Sequence, residues 1–330
     1  MGSRQKRGAL ALGIDFGATF IKMGLVDDRG KIRRRLSLEV RKDLSQTKLF
    51  EAICQAVHSL AKTEGIALKK VLGIGVGVPG LVDPEKGTIH FLTHVPGWRQ
   101  IPLARQMRRR LGLPVFLDND ANLMALGEAT YGAAKGCREV ICLTLGTGVG
   151  GGILVNGSLY YGASFSSGEI GHMPVARNGS RCACGGRGCL ELYVGNRAIA
   201  SRARERLRRG ESSLISKLVK GRLEKITPKT IDEAARRNDR LALTVWREVG
   251  EWLGIALAGL VNFFNPQRIV IGGGVARAGS YLFDPIRRTI RERALSWPVK
   301  HLKVVRAALG NDAGIIGASV LVRINMRERR

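Results

Sequence analysis

Short apolar runs separated by glycine divide the first part of the chain into strands. Residues 9–15, 20–27 and 31–39 read as a meander, with Asp28-Arg-Gly30 as the turn between the last two. Apolar residues at Leu49, Ala52, Ile53, Ala56, Val57 and Leu60 recur at helical spacing and predict a helix over 48–64. Residues 71–78 form a glycine-interspersed apolar run stopped by Pro79-Gly80, as a buried strand would be. A helix over 101–111 and a strand over 115–118 follow. The pattern then restarts with a strand at 140–145, a glycine turn at 146–152, a strand at 153–155 and the hairpin signal Asn156-Gly157. A helix over 241–264 ends before Pro266. A short strand at 268–271 runs into Gly272-Gly-Gly274, and a last helix covers 313–326.

Glycine-turned strand pairs thus occur twice, near Gly17 and near Gly148. This predicts an α/β protein of two related halves, each with a turn able to hold a phosphate. The domain change is expected near Asp118–Asn119, with a second linker near Asn311. The smaller domain would comprise 8–118 with 312–330, and the larger 119–311.

At 330 residues and 45% hydrophobic content the chain can build more than one core. Six cysteines in this length are no disulfide scaffold and suit a reducing compartment, with Cys54, Cys137 and Cys142 expected to be buried. The basic N-terminus lacks the apolar run of a secretory signal. The longest apolar stretch, 253–264, is too short for a bilayer and contains Asn262. These features predict a cytoplasmic protein without a membrane partner. A net charge of +27 raises the question of nucleic acid. The basic residues are dispersed, however, and no aromatic residues interleave with them to stack bases. They read as solvated helix faces, with weak nonspecific polyanion contact as the alternative and specific nucleic-acid binding not expected.

The most informative cluster is His172 with Cys182-x-Cys184-x4-Cys189. Three thiolates and an imidazole form a closed tetrahedral set for a structural Zn²⁺. The competing disulfide is disfavoured for cysteines one residue apart, whose backbone is too short for good geometry. Glu169 and Glu191 flank the cluster, so zinc there would hold two carboxylates in place.

Three glycine motifs accompany it. In Asp15-Phe-Gly17-Ala-Thr19-Phe-Ile-Lys22, Gly17 allows close approach of a phosphate, Thr19 can donate to it, and Asp15 can hold Mg²⁺ through water. An ordinary glycine hairpin is the plain alternative. Leu145-Gly-Thr147-Gly148-Val-Gly-Gly-Gly152 repeats the logic and is neither a P-loop nor a dinucleotide-binding turn. Ile269-Val-Ile-Gly-Gly-Gly274 could receive a nucleoside. Finally, Leu117-Asp-Asn119-Asp120-Ala-Asn122 lies where a strand gives way to a helix. Asp120 there could accept a hydroxyl proton, or the same residues could cap the helix, with Asp118 or Asn119 capping while Asp120 acts.

From about Gly13 to Gly317 this set resembles the ROK family (repressor, open reading frame, kinase) of the actin-like ATPase fold. The resemblance implies a two-domain, ribonuclease H-like α/β architecture with a cleft between the domains, and an ATP-dependent hexose kinase. Asp120 would be the base for the sugar 6-hydroxyl. Asn119, Glu169, His172 and Glu191 would bind the sugar, with Gly80 approaching through its backbone. Asp15, Gly17, Thr19, Lys22, Thr147 and Gly148 would face the phosphates and Mg²⁺, and Gly273 and Gly274 the nucleoside. Thr93-His94-Val95-Pro96-Gly97-Trp98 departs from the family pattern, because His94 stands where many family kinases carry a sugar-binding Asn. Glucose is the first expectation and N-acetylmannosamine the second. The resemblance also implies a homodimer or homotetramer. Family repressors carry an added helix-turn-helix; with 14 residues before Asp15, none is expected here.

Overall fold

The computed structural model describes residues 8–17, 19–40, 45–92 and 97–328, and the chain forms two compact units. Unit 1 begins with β1 (Ala11–Phe16), β2 (Phe20–Val26) and β3 (Ile32–Glu39), the expected meander. Helix α1 (Gln46–Thr63) starts where the Ser45 hydroxyl accepts from the Lys48 N–H, and it buries Leu49, Ile53, Val57 and Leu60. Then come β4 (Ile74–Val78), a small antiparallel sheet of β5 (Gly80–Asp83), β6 (Thr88–Leu92) and β7 (Arg99–Ile101), α2 (Leu103–Leu111), β8 (Val115–Asn119) and α3 (Asp120–Tyr131).

Unit 2 repeats the plan. It carries β9 (Val140–Leu145), β10 (Val149–Val155) and β11 (Ser158–Leu159), where the chain passes back to unit 1 until Ser167. Helices α4 (Glu191–Val194), α5 (Asn196–Arg208), α6 (Leu214–Leu218), α7 (Pro228–Ala235) and α8 (Arg240–Phe264) follow. Strand β12 (Arg268–Gly272), α9 (Ser280–Arg293), α10 (Ser296–His301) and β13 (Lys303–Arg306) complete the unit. The chain ends in unit 1 with α11 (Ala313–Glu328).

Among the described residues, one sheet has the order β3-β2-β1-β4-β8 and the other β11-β10-β9-β12-β13. In each, a hairpin precedes two strands parallel to the first: β4 and β8 beside β1, and β12 and β13 beside β9. The glycine-turned pairs seen in the sequence are therefore the same part of a duplicated topology.

Strand alternation splits the first sheet between two cores. Leu12, Ile14, Ile74, Val76, Val115 and Leu117 join the core containing α1 and α2. Ala11 and Phe116 join α3 and α11. On that second face α11 approaches backbone to backbone: a Cβ on Gly75 would lie 2.0 Å from the Ala318 carbonyl oxygen, and one on Gly317 would lie 1.7 Å from that of Leu123. In unit 2, Trp246 is buried in α8 and Trp252 packs on Tyr193 with ring centroids 4.3 Å apart, so both tryptophans serve the core.

Two features differ from the sequence reading. The units divide at Gly136/Cys137 and Ala307/Ala308, later than Asp118–Asn119 and earlier than Asn311. The reason is that α3 packs on α11, and buried Glu128 accepts from the N–H groups of Ala133 (2.7 Å), Ala308 (3.1 Å) and Leu309 (2.8 Å). Cys137 is half-buried, because it lies in the turn leading to β9, whereas Cys54 and Cys142 are buried as expected. Among the described residues no helix is long and apolar enough to cross a membrane.

The packing predicts opposite signs for two glycine substitutions. Gly75→Ala should lower stability by about 1–3 kcal/mol or more in urea unfolding, because carbonyl backbone blocks the new methyl. Gly259→Ala, inside α8 with no atom within 4 Å of the added carbon, should raise it by roughly 0.5–1 kcal/mol.

Candidate active site

In unit 1 the carboxyl ends of three parallel strands bring the expected residues together. Asp15 on β1 is in register with Gly77 on β4, and Gly77 with Asp118 on β8. Such strand ends, where backbone turns away from the sheet, are where open α/β sheets bind ligands. Asp15 pairs across the hairpin with Lys22, whose Nζ is 3.9 Å from its Oδ2. Burial pushes the Asp15 carboxyl above its usual range, and Lys22 acts against that. The turn is closed by the Gly17 N–H donating to the Phe20 carbonyl at 3.0 Å, with Thr19 exposed. The start of α11 presses on the same carboxylate: a Cβ on Gly314 would lie 2.8 Å from Asp15 Cγ.

Asn119 caps α3. Its Oδ1 accepts from the N–H groups of Ala121 (2.9 Å) and Asn122 (3.4 Å), while its Nδ2 donates to the Gly80 carbonyl at 3.1 Å. Gly80 has φ +127°, a conformation that favours glycine, and a Cβ there would lie 2.3 Å from the Phe91 carbonyl oxygen. Asp120 is the first residue of α3 and accepts from the Ala121 N–H at 2.8 Å. That position sets its carboxylate beside the amides of the helix N-terminus. His94 lies outside the described residues.

In unit 2 the structure joins groups that the sequence reading kept apart. Gly150–Gly152, read as part of a glycine turn, belong to β10; the turn itself is confined to the residues between β9 and β10. The glycines serve a close approach: a Cβ on Gly151 would lie 2.4 Å from the Gly168 carbonyl oxygen, and one on Gly171 would lie 2.3 Å from that of Val149. The segment bearing Glu169 and His172 thus lies directly on β10. Glu191, first residue of α4, grips the other side, its Oε2 accepting from the Val149 N–H at 3.0 Å. That oxygen would be 2.6 Å from a Cβ on Gly148, so a side chain there would displace the carboxylate. Thr147 is exposed in the same turn. Gly273, at φ +84°, lies against the Leu145 backbone, which places Gly273 and Gly274 beside the turn at the carboxyl ends of β9 and β12.

The four residues read as metal ligands lie together in the structure. One donor atom from each of His172, Cys182, Cys184 and Cys189 lies within 4.8 Å of the others. His172 Nδ1 is 3.7 Å from Cys182 Sγ, and Cys184 and Cys189 sulfurs are 3.7 Å apart. The loop is shaped for this by the Cys182 N–H donating to Gly186 (2.8 Å) and the Gly185 N–H to Cys182 (3.0 Å). Burial and the neighbouring sulfurs push the Cys189 thiol up to about 12, a crowding that a divalent cation would relieve by holding the thiolates. The donor set fits zinc in kind, number and mutual distance. Its other ring nitrogen, Nε2, is 4.0 Å from Glu169 Oε2, so one imidazole spans the cysteines and the carboxylate.

The sequence reading missed Tyr161. Its hydroxyl donates to Asp118 Oδ2 at 2.6 Å. Nothing local signals the pair, because the partners are 43 residues apart.

Known proteins resemble the chain over nearly its whole length. The ROK family model matches residues 11–325. The chain is 36% identical over 312 residues to a glucokinase of Thermotoga maritima, covering 94% of this chain and 96% of that one. It is 31% identical over 316 residues to a xylose repressor of Caldicellulosiruptor bescii, covering 96% of this chain and 78% of the repressor. The crystal structure of a ROK family glucokinase from Streptomyces griseus, in complex with glucose and AMPPNP, matches with a TM-score of 0.81 and 36% identity, covering 96% of this chain and 100% of that chain. With the duplicated sheets, this makes the fold that of the actin-like ATPases.

The geometry predicts about one zinc per chain by mass-spectrometric metal analysis, lost in Cys189→Ser. Metal removal should loosen the segment bearing Glu169 and His172, read as quicker amide hydrogen exchange over residues 169–191, because His172 loses its anchor. Unchanged exchange in the metal-free protein would sink this role for the cluster.

Proposed function

The chain belongs to the ROK family, and on that premise we propose that it is an ATP-dependent hexose kinase acting on a sugar 6-hydroxyl, with glucose its first substrate. The observation that carries this is Asp120 at the start of α3, with the capped Asn119 turn behind it and the Gly80 carbonyl bound to that turn. In-line transfer to a hydroxyl asks little covalent chemistry of the protein; it asks for a positioned base and for charge stabilisation. Asp120 accepts the proton of the 6-hydroxyl as its oxygen attacks the γ-phosphorus of ATP.

The remaining roles follow from donor and acceptor chemistry. Glu169 and Glu191 accept from sugar hydroxyls, and His172 donates or accepts through Nε2. Asn119 has its acceptor committed to the helix cap, so its contribution is the second hydrogen of Nδ2. Gly80 presents backbone, and His94 stands at a further sugar-contact position. Thr19, Thr147 and the amides of Gly17 and Gly148 donate to phosphate oxygens. Gly273 and Gly274 leave room for the nucleoside. Asp15 fits the holding of Mg²⁺, which when bound supplies charge neutralisation on the phosphates; Lys22 adds a cation at the same turn. Zinc, held by His172, Cys182, Cys184 and Cys189, supplies a cross-link and no reaction step.

A second reading, a sugar-responsive binding protein or regulator, is favoured by the likeness to the xylose repressor. The two separate cleanly. The kinase reading expects sugar-dependent ADP release on at least one hexose or N-acetylhexosamine, and Asp120→Asn should lower kcat by about 100–10,000-fold with sugar still bound. Sugar binding without turnover in the folded wild-type protein would instead support the regulator, and an undiminished Asp120→Asn would overturn the assigned base.

A further inference from the structure

Asp118 is fully buried two residues before the proposed base, and phosphoryl transfer as described makes no use of it. Its two oxygens have separate tasks. Oδ1 accepts from the Asn119 N–H at 2.7 Å and from Asn122 Nδ2 at 2.9 Å, so it holds the strand-to-helix turn from inside. Oδ2 accepts from the Tyr161 hydroxyl at 2.6 Å. Burial pushes the Asp118 carboxyl above its usual range, and the phenol and amide donors oppose that. A buried carboxylate of this kind depends on every donor it has.

Tyr161 belongs to a closed loop, residues 159–167. The Ser167 N–H donates to the Tyr161 carbonyl at 3.1 Å, and the Ser167 hydroxyl donates to the Tyr160 carbonyl. Phe165 has φ +57°, costly for a bulky side chain, and its ring meets that of Tyr161 edge-on with centroids 6.1 Å apart. A loop that holds such a residue is over-determined by its contacts, and the Tyr161 hydroxyl ties it to β8.

We propose that Tyr161 and Asp118 form a latch in which Tyr161, acting through Asp118, is a positioning residue for the Asn119–Asp120 turn. The proposal rests on the kinase reading for its catalytic consequence. Losing the phenol leaves Asp118 with only its turn contacts in a dry site, and the turn gains freedom. Asp120 is then less often where the 6-hydroxyl needs it, while Glu169 and Glu191 keep their own supports. Asn119 in the same turn is one sugar contact among several, so the effect falls on kcat more than on KM.

The test is Tyr161→Phe, Asp118→Asn and the double variant, assayed by ADP release and by amide hydrogen exchange at residues 119–122. Tyr161→Phe should lower kcat by roughly tenfold with both KM values within about threefold. The double variant should match Asp118→Asn alone within about twofold, because the two side chains act as one unit. Exchange at 119–122 should quicken in Tyr161→Phe. Unchanged kcat together with unchanged exchange in Tyr161→Phe, or a double variant at the product of the single effects, would overturn the latch. If the wild-type protein turns over no sugar, the kinase reading fails by itself, and the exchange measurement still decides the latch: quicker exchange supports it and wild-type exchange refutes it.

Discussion

The close approach of α11 to the first sheet is the constraint on which unit 1 depends. Side chains normally keep a helix well clear of a sheet, yet here backbone meets backbone at Gly13 and Gly75. Three things follow. The end of the chain is fixed to strands formed near its beginning. The face of β1 and β4 opposite α1 carries Gly13, Gly75 and Gly77, so that α3 can also reach it. And the start of α11, at Gly314, is brought against the Asp15 carboxylate. A larger residue at these glycines would disturb a site residue and the fold together.

Unit 2 uses the same economy of backbone for another purpose. Its glycines on β10 let the segment 168–172 lie directly on the strand, and Glu191 fastens to the first amide of that strand. The zinc set, the two flanking carboxylates and the glycine turn are therefore one assembly, although their positions in the chain suggest three separate motifs. Zinc would lock the outer end of this assembly, while backbone packing already fixes the inner end.

Much of this was legible in the sequence, for identifiable reasons. Strands such as β9 and helices such as α8 carry long, unambiguous apolar patterns, and the fold repeats them, so the duplication could be read. The candidate metal set was legible because its residues are chemically rare and mostly close in sequence. What was not legible depends on contacts between distant segments. Gly150–Gly152 look like a turn in sequence but pair with β9 as a strand, and Gly151 leaves room for the 168–172 segment to lie on it. The unit boundary moved because Glu128 gathers amides from residues 133, 308 and 309. Tyr161 was invisible because its meaning lies wholly in Asp118.

Asp118 and Asp120 also show how two like side chains two residues apart acquire different chemistry. Strand alternation directs Asp118 to the α3–α11 face of the sheet, where water is excluded and three donors must compensate. The helix begins at the next residue but one, so Asp120 escapes that face and stands in the first turn of α3. The buried carboxylate is saturated with hydrogen bonds and suited to hold geometry. The other is the proton acceptor on the proposed reading. Paired carboxylates in other sites are separated in role by the same difference of environment. Here the separation is written into a single junction, because one residue ends a strand, the next caps a helix and the third begins it.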